Sequence, residues 1–146
     1  MIVETMTFEE IVKEYEKIHN SIYPVRVKDR IDYQGMRRYF IKNKNEENVW
    51  FKPLDFKIDR ITTFCVIPYS RNWSDFQKIG PLCQVCLIYL TSKGYTLLVR
   101  GGVYDNEYAF YTSHLFDRYR ERELQDLSLC KMDVIREFFK RNGNMC

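Results

Sequence analysis

Histidine, glycine and proline are all scarce in this sequence: two His, six Gly and four Pro among 146 residues. So little flexible or turn-forming material excludes a linker, a low-complexity tract or a disordered chain, the more so beside eleven Tyr, ten Phe and two Trp. No segment approaches the roughly 18 uninterrupted apolar residues that a membrane span needs, and the opening MIVETMTFEE lacks the basic and then apolar pattern of a secretory signal. Five cysteines at irregular spacing (Cys65, Cys83, Cys86, Cys130 and Cys146) do not form a disulfide framework. The expectation is one soluble, cytoplasmic domain with no membrane association, large enough to bury a core without disulfides or metal. No glycine-rich nucleotide loop, metal quartet or nucleophile motif occurs, so no cofactor is expected.

The net charge is only +3, but it is unevenly spread. Residues 1–23 hold five Glu against Lys13 and Lys17, a net of −3. Residues 24–44 hold Arg26, Lys28, Arg30, Arg37, Arg38, Lys42 and Lys44 against Asp29 and Asp32, a net of +5. From residue 117 onward seven basic and six acidic side chains nearly cancel, which suits an ion-paired helix surface.

Along the chain, Thr7-Phe8-Glu9-Glu10 has capping-box spacing, and Phe8, Ile11, Val12, Tyr15 and Ile18 follow at helical intervals. This gives a helix that ends near Asn20 or Ser21 and is stopped by Pro24; His19, in its last turn, reads as a polar cap residue. A second helix is expected over 32–42, with Ile31, Met36, Tyr39 and Phe40 inward and Arg37, Arg38, Lys42 and Lys44 outward, weakened by Gly35. Strands are expected at 49–51, cut by Pro53, and at 58–67, ending at Pro68. Residues 73–79 suit one or two helical turns. Residues 83–91, apolar on both alternating faces, turn through Ser92-Lys93-Gly94 and return over 95–100 as a central hairpin. Gly101-Gly102 and Asp105-Asn106 mark a connection, and 107–112 is the next strand. A helix opens at His114. Ser128 caps a last helix with Met132, Ile135, Phe138 and Phe139 inward and Gly143 at its stop. The fold class is therefore α+β: a single domain over 1–146, with a helical part over 1–45, an antiparallel four- to five-stranded meander over 48–113 and helices over 114–142. A strand apolar on both faces needs cover on both, and helices, a long loop or a partner chain can supply it; a homodimer is one expectation.

Three constellations carry chemistry. Cys83-Gln84-Val85-Cys86 has the CxxC spacing of zinc or redox pairs, but it opens an apolar strand, where residues three apart point to opposite faces, so two core cysteines are the simpler reading. Arg37, Arg38 and Lys42, interleaved with Tyr33, Tyr39 and Phe40, suit phosphate neutralisation and base stacking, and equally a solvated helix face. Arg100, on a neighbouring strand, is a further candidate for nucleic-acid contact.

The third is His114-x-x-x-Arg118-x-x-x-Arg122. Steps of four residues hold these three side chains on one stripe, at the edge of the apolar face of Leu115, Phe116 and Tyr119. A neutral imidazole accepts a proton and two guanidiniums hold a phosphate bidentately, the arrangement of a metal-independent ribonuclease site. Arg100, Tyr108 and Tyr111 would be its neighbours from the strands. The competing reading spends the charges in ion pairs of Asp117 with Arg120 and of Glu121 with Arg118.

Residues 112–141 resemble part of small bacterial domains related to RelE-type toxins and the wider barnase–EndoU–colicin nuclease group. The resemblance rests on His114, Arg118 and Arg122 followed by the apolar pattern of Val134, Ile135 and Phe138. It implies RNA cleavage or an inactive relative, with His114 as base and Arg118 and Arg122 on phosphate. In those domains the histidine helix usually precedes the sheet; here the strands precede it. The expectation is an RNA-directed, toxin-like domain, a metal-independent ribonuclease or an RNA binder. The alternatives are a protein-interaction or self-associating module and, third, a zinc or redox site at Cys83 and Cys86.

Overall fold

A computed structural model describes residue 2 and residues 5–100 and 107–142, without the side chains of Lys131, Met132 and Asn142. The connection expected at Gly101-Gly102 and Asp105-Asn106, the stop at Gly143 and the inward Met132 lie outside the described residues.

Helix α1 (Phe8–Ile22) starts as its sequence dictates: the Thr7 side chain accepts the Glu10 N–H at 3.3 Å and its hydroxyl donates to the Glu10 carboxylate at 3.2 Å. Ile11, Tyr15, Ile18 and Ile22 form its buried stripe; Phe8, expected on it, is exposed at the helix start, where its ring meets Phe110. The helix does not stop at Pro24. It widens into a π-helical turn (Tyr23–Val27) and runs on through α2 (Lys28–Arg30). Proline lacks an N–H and its ring collides with the carbonyl four residues back. The wider i→i+5 turn takes Pro24 in its opening positions, and the chain stays on the core long enough to bury Val27.

Helix α3 (Tyr33–Lys42) is capped by Asp32, whose carboxylate accepts the Gly35 N–H at 2.9 Å. A Cβ on Gly35 would run into that carboxylate, so glycine here serves the cap that starts the helix. Its buried residues are Met36 and Phe40; Tyr39, expected inward, is exposed because its hydroxyl reaches outward to donate to Glu46 at 2.6 Å.

Among the described residues the sheet is antiparallel and has six strands: β1 (Val49–Trp50), β2 (Leu54–Lys57), β3 (Thr62–Ser70), β4 (Leu82–Thr91), β5 (Gly94–Arg100) and β6 (Tyr108–Thr112), with α4 (Trp73–Ile79) between β3 and β4. Its order is β1-β3-β4-β5-β6, with β2 also pairing β3, so β1 and β2 share one flank of β3. Strand β3 runs past Pro68 instead of ending there. The Pro68 carbonyl accepts the Phe51 N–H at 2.9 Å, so residue 68 turns its main-chain groups toward the break between β1 and β2. The missing N–H falls in that gap and costs the β4 ladder nothing. The chain then continues through α5 (Ser113–Tyr119), a second π-helical turn (Arg120–Leu124) and α6 (Lys131–Asn142). Ser128 is not the cap of α6, which starts three residues later; its hydroxyl bonds Asp126 at 2.5 Å.

Alternation along β3 and β4 builds two cores. Phe64, Val66, Val85, Leu87 and Tyr89 pack with Leu98 against Ile11, Tyr15, Ile18 and Ile22 of α1. Cys65, Ile67, Cys86 and Ile88 pack with Leu97 and Val99 against Phe116 of α5 and Val134, Ile135 and Phe139 of α6. Both faces of the central strands are thus covered by helices of this chain, so the sheet faces do not call for a partner chain. A third cluster, Met36, Phe40, Val49 and Phe76, joins α3 and α4 to the β1 edge. Among the described residues, no helix is long and apolar enough to cross a membrane.

Candidate nucleic-acid interface

Helix α5 follows β6 without a loop: Thr112 ends the strand in an extended conformation and Ser113 begins the helix. Phe116 anchors it, fully inward, its ring 5.4 Å from Phe138 and 6.3 Å from Tyr111. Tyr119 stacks edge-on to Phe138 at 5.4 Å. With that face fixed by rings, the other side of the helix faces solvent, and His114, Arg118 and Arg122 are all exposed there.

Of the two ion pairs expected, one forms. Arg120 meets Asp117 at 3.5 Å, whereas Arg118 has no such contact with Glu121. Among the described residues, neither His114, Arg118 nor Arg122 has a hydrogen-bond or ion-pair partner. The stripe is therefore two free guanidiniums and one free imidazole along α5 and the π-helical turn that continues it. From Arg120 the turn is wider, and Gln125 ends it in the left-handed region at φ 52.

The strand residues expected beside this stripe divide between the two sheet faces. Tyr111 lies on the α5 side, locked among Phe116, Phe138 and Phe139. Tyr108 lies on the α1 side with Phe110. Arg100 is the register partner of Tyr108 and shares the α1 face with Leu98. The Tyr108 hydroxyl donates to Glu16 of α1 at 2.9 Å, and the Arg100 charge acts on Tyr15, His19 and Tyr108. Arg100 thus belongs with α1, across the sheet from His114.

Arg37, Arg38 and Lys42 stand exposed on α3, without partners among the described residues. Exposed Tyr33 and Ile41 accompany them, while Tyr39 is held by Glu46 and by an edge contact with Phe51 at 5.8 Å. This surface lies at the β1 edge, and α5 packs over β5 and β6 at the other, so the molecule carries two separate basic faces. Two further arginines of the basic run have structural partners: Arg26 and Arg30 lie over the Phe56 ring at 5.5 and 4.5 Å, and Arg30 donates to the Asp55 carbonyl at 2.7 Å.

The sequence reading of His19 as a cap missed its surroundings. Its ring is stacked on Tyr23 and lies 6.0 Å from both Tyr15 and Phe64. Burial lowers its pKa below the ordinary histidine value; a hydrogen bond to Asn20 opposes this and the Arg100 charge adds to it. Tyr15, His19 and Tyr23 are spaced by four, so their shared stripe was visible in the sequence. The proline-tolerant turn that keeps Tyr23 on it was not.

Cys83 packs with the α1-side core and Cys86 with the α5/α6-side core. The two thiols point away from each other through the sheet, which denies them a common metal ion. Among the described residues, no group of three His, Cys, Asp or Glu side chains is arranged to hold a metal. No family model matches the chain, and neither a curated protein nor a solved structure matches it.

Proposed function

We propose that this protein is an RNA-directed, toxin-like domain that grips the phosphodiester backbone along α5. The observation that carries the reading is the division of charge on that helix: Asp117 engages Arg120 and leaves Arg118, Arg122 and His114 unpaired and exposed. Two unpaired guanidiniums four residues apart suit successive bidentate contacts with phosphate oxygens. The α3 face, with Arg37, Arg38, Lys42 and the Tyr33 ring, offers a second contact with the same chemistry.

Binding is the primary activity in this reading. Cleavage without a metal requires a general acid as well as a base. Tyr111 is enclosed by rings, and Arg100 and Tyr108 lie on the other face of the sheet. Cleavage is the second reading, favoured by the exposed imidazole of His114 in the first turn of α5.

Metal-stripped protein incubated with mixed cellular RNA tests both. Retention should fall steeply with salt, and replacing Arg118 and Arg122 together by Ala should flatten the log–log slope by roughly 1.4, two phosphates at about 0.7 each. Cleavage abolished by His114→Ala would establish the second reading. Absence of retention at low salt, or a slope that the double variant leaves unchanged, refutes the α5 grip.

A further inference from the structure

The two edges of the sheet are built differently. On the β1/β2 edge the chain breaks at Lys52-Pro53, charged Asp55 and Lys57 alternate along β2, and the outward Asp55 carbonyl is occupied by the Arg30 guanidinium at 2.7 Å. These are the devices that keep an edge from pairing with another chain. Strand β6, Tyr-Ala-Phe-Tyr-Thr, has none of them: no charge, no proline and no bulge in its register with β5.

The ladder fixes which of its groups are free. The Leu90 N–H bonds the Ile61 carbonyl, so β4 turns its even-numbered residues toward β3 and its odd-numbered ones toward β5. Carried through the registers Leu87↔Leu98 and Leu97↔Tyr111, this points Ala109 and Tyr111 at β5 and turns the N–H and C=O groups of Tyr108, Phe110 and Thr112 outward. No hydrogen bond outside the helices and strands is made by them among the described residues, and of the six groups only the Thr112 carbonyl, as N-cap of α5, serves the helix that follows.

We infer that β6 is a self-pairing edge, and that a second copy of this chain adds its own β6 antiparallel about Phe110 to make one continuous twelve-stranded sheet from two six-stranded ones. Tyr108 then pairs with Thr112 of the second copy, and each outward N–H of Tyr108, Phe110 and Thr112 finds a carbonyl. The pairing is also complementary in side chains. Phe110 carries the Phe8 ring at 5.0 Å, and Phe8 is 50% exposed, so the two-fold axis brings two such aromatic pairs together. The inference is independent of RNA binding.

Residue-resolved amide exchange combined with sedimentation tests it over about a hundredfold range of protein concentration. Ala109 and Tyr111 should be protected throughout. Tyr108, Phe110 and Thr112 should exchange freely when dilute and slow at least about tenfold as dimer forms. Phe110→Lys, which restores a charged edge, should abolish the dimer. A monomer at every concentration overturns the inference; so does a dimer in which those three amides still exchange freely, because its interface lies elsewhere.

Discussion

The imidazole of His19 lies flat against the phenol ring of Tyr23, centroids 4.9 Å apart and planes 13° from parallel. This contact exists because α1 does not end at Pro24 but passes through it in a π-helical turn that holds Tyr23 one turn above His19. Tyr15 and Phe64 complete the surroundings; burial, and after it the Arg100 charge, favour the neutral ring against the opposing Asn20 hydrogen bond.

Stability should therefore depend on pH through His19. Its folded pKa is lowered, so between the folded value and the ordinary unfolded value of about 6.5 the unfolded chain binds the extra proton. The contribution is complete above the unfolded pKa and is lost as pH falls through the folded one. Denaturant midpoints at pH 7.5 and 5.5 should drop in the wild type and drop less in His19→Phe. Equal losses in both proteins would assign the pH dependence to other groups.

Tyr15 points its hydroxyl into the α1-side core, where the buried oxygen has no hydrogen-bond partner among the described residues. Burial accordingly drives its pKa well above the ordinary tyrosine value. Tyr15→Phe keeps the ring contacts and removes the orphaned group, so it should stabilise the fold by about 1 kcal/mol. Calorimetry checks this; a Tm that falls by several degrees would mean that the hydroxyl is bonded in solution.

Arg30 joins the α1–α2 segment to the sheet edge in two ways, through the Asp55 carbonyl and the Phe56 ring. Arg30→Ala should cost about 1–2 kcal/mol in urea denaturation. Arg30→Lys should recover only part of that, because an ammonium does not stack as a planar guanidinium does. Full recovery by Lys would show that charge alone matters.

Cys65 and Cys86 face each other across β3 and β4, both fully buried, and the Cys86 thiol together with burial pushes the Cys65 thiol far above the ordinary value. Cys83 is shifted upward by burial. Cys130 is exposed. Alkylation of native protein, mapped by peptide, should modify Cys130 well before Cys65 and Cys86, which should react only on unfolding. Prompt labelling of Cys86 would contradict the packing of β4.

Much of the fold was legible because it is locally encoded. Thr7 and Asp32 cap their helices through side chains three residues from the bonded N–H, and Ser92-Lys93 sets the β4–β5 register within a handful of residues. Strand β2 escaped notice because Leu54-Asp55-Phe56-Lys57 is too short and too charged to signal itself; its pairing with residues 63–66 makes it a strand. Pro24 and Pro68 were read as stops because proline's preferences are local. In the folded chain each has its missing N–H where no bond is needed, and that depends on neighbours distant in sequence.

The candidate site divides in the same way. Helical spacing alone placed His114, Arg118 and Arg122 on one stripe, and composition alone marked 24–44 as basic. Spacing also offered the Asp117–Arg120 pair that forms; only the tertiary structure decided that Arg100 and Tyr108 serve α1 across the sheet from that stripe, and that Arg26 and Arg30 are spent on Phe56. The reason is physical: periodicity fixes which residues of one element share a face, whereas strand register and helix docking fix which faces meet.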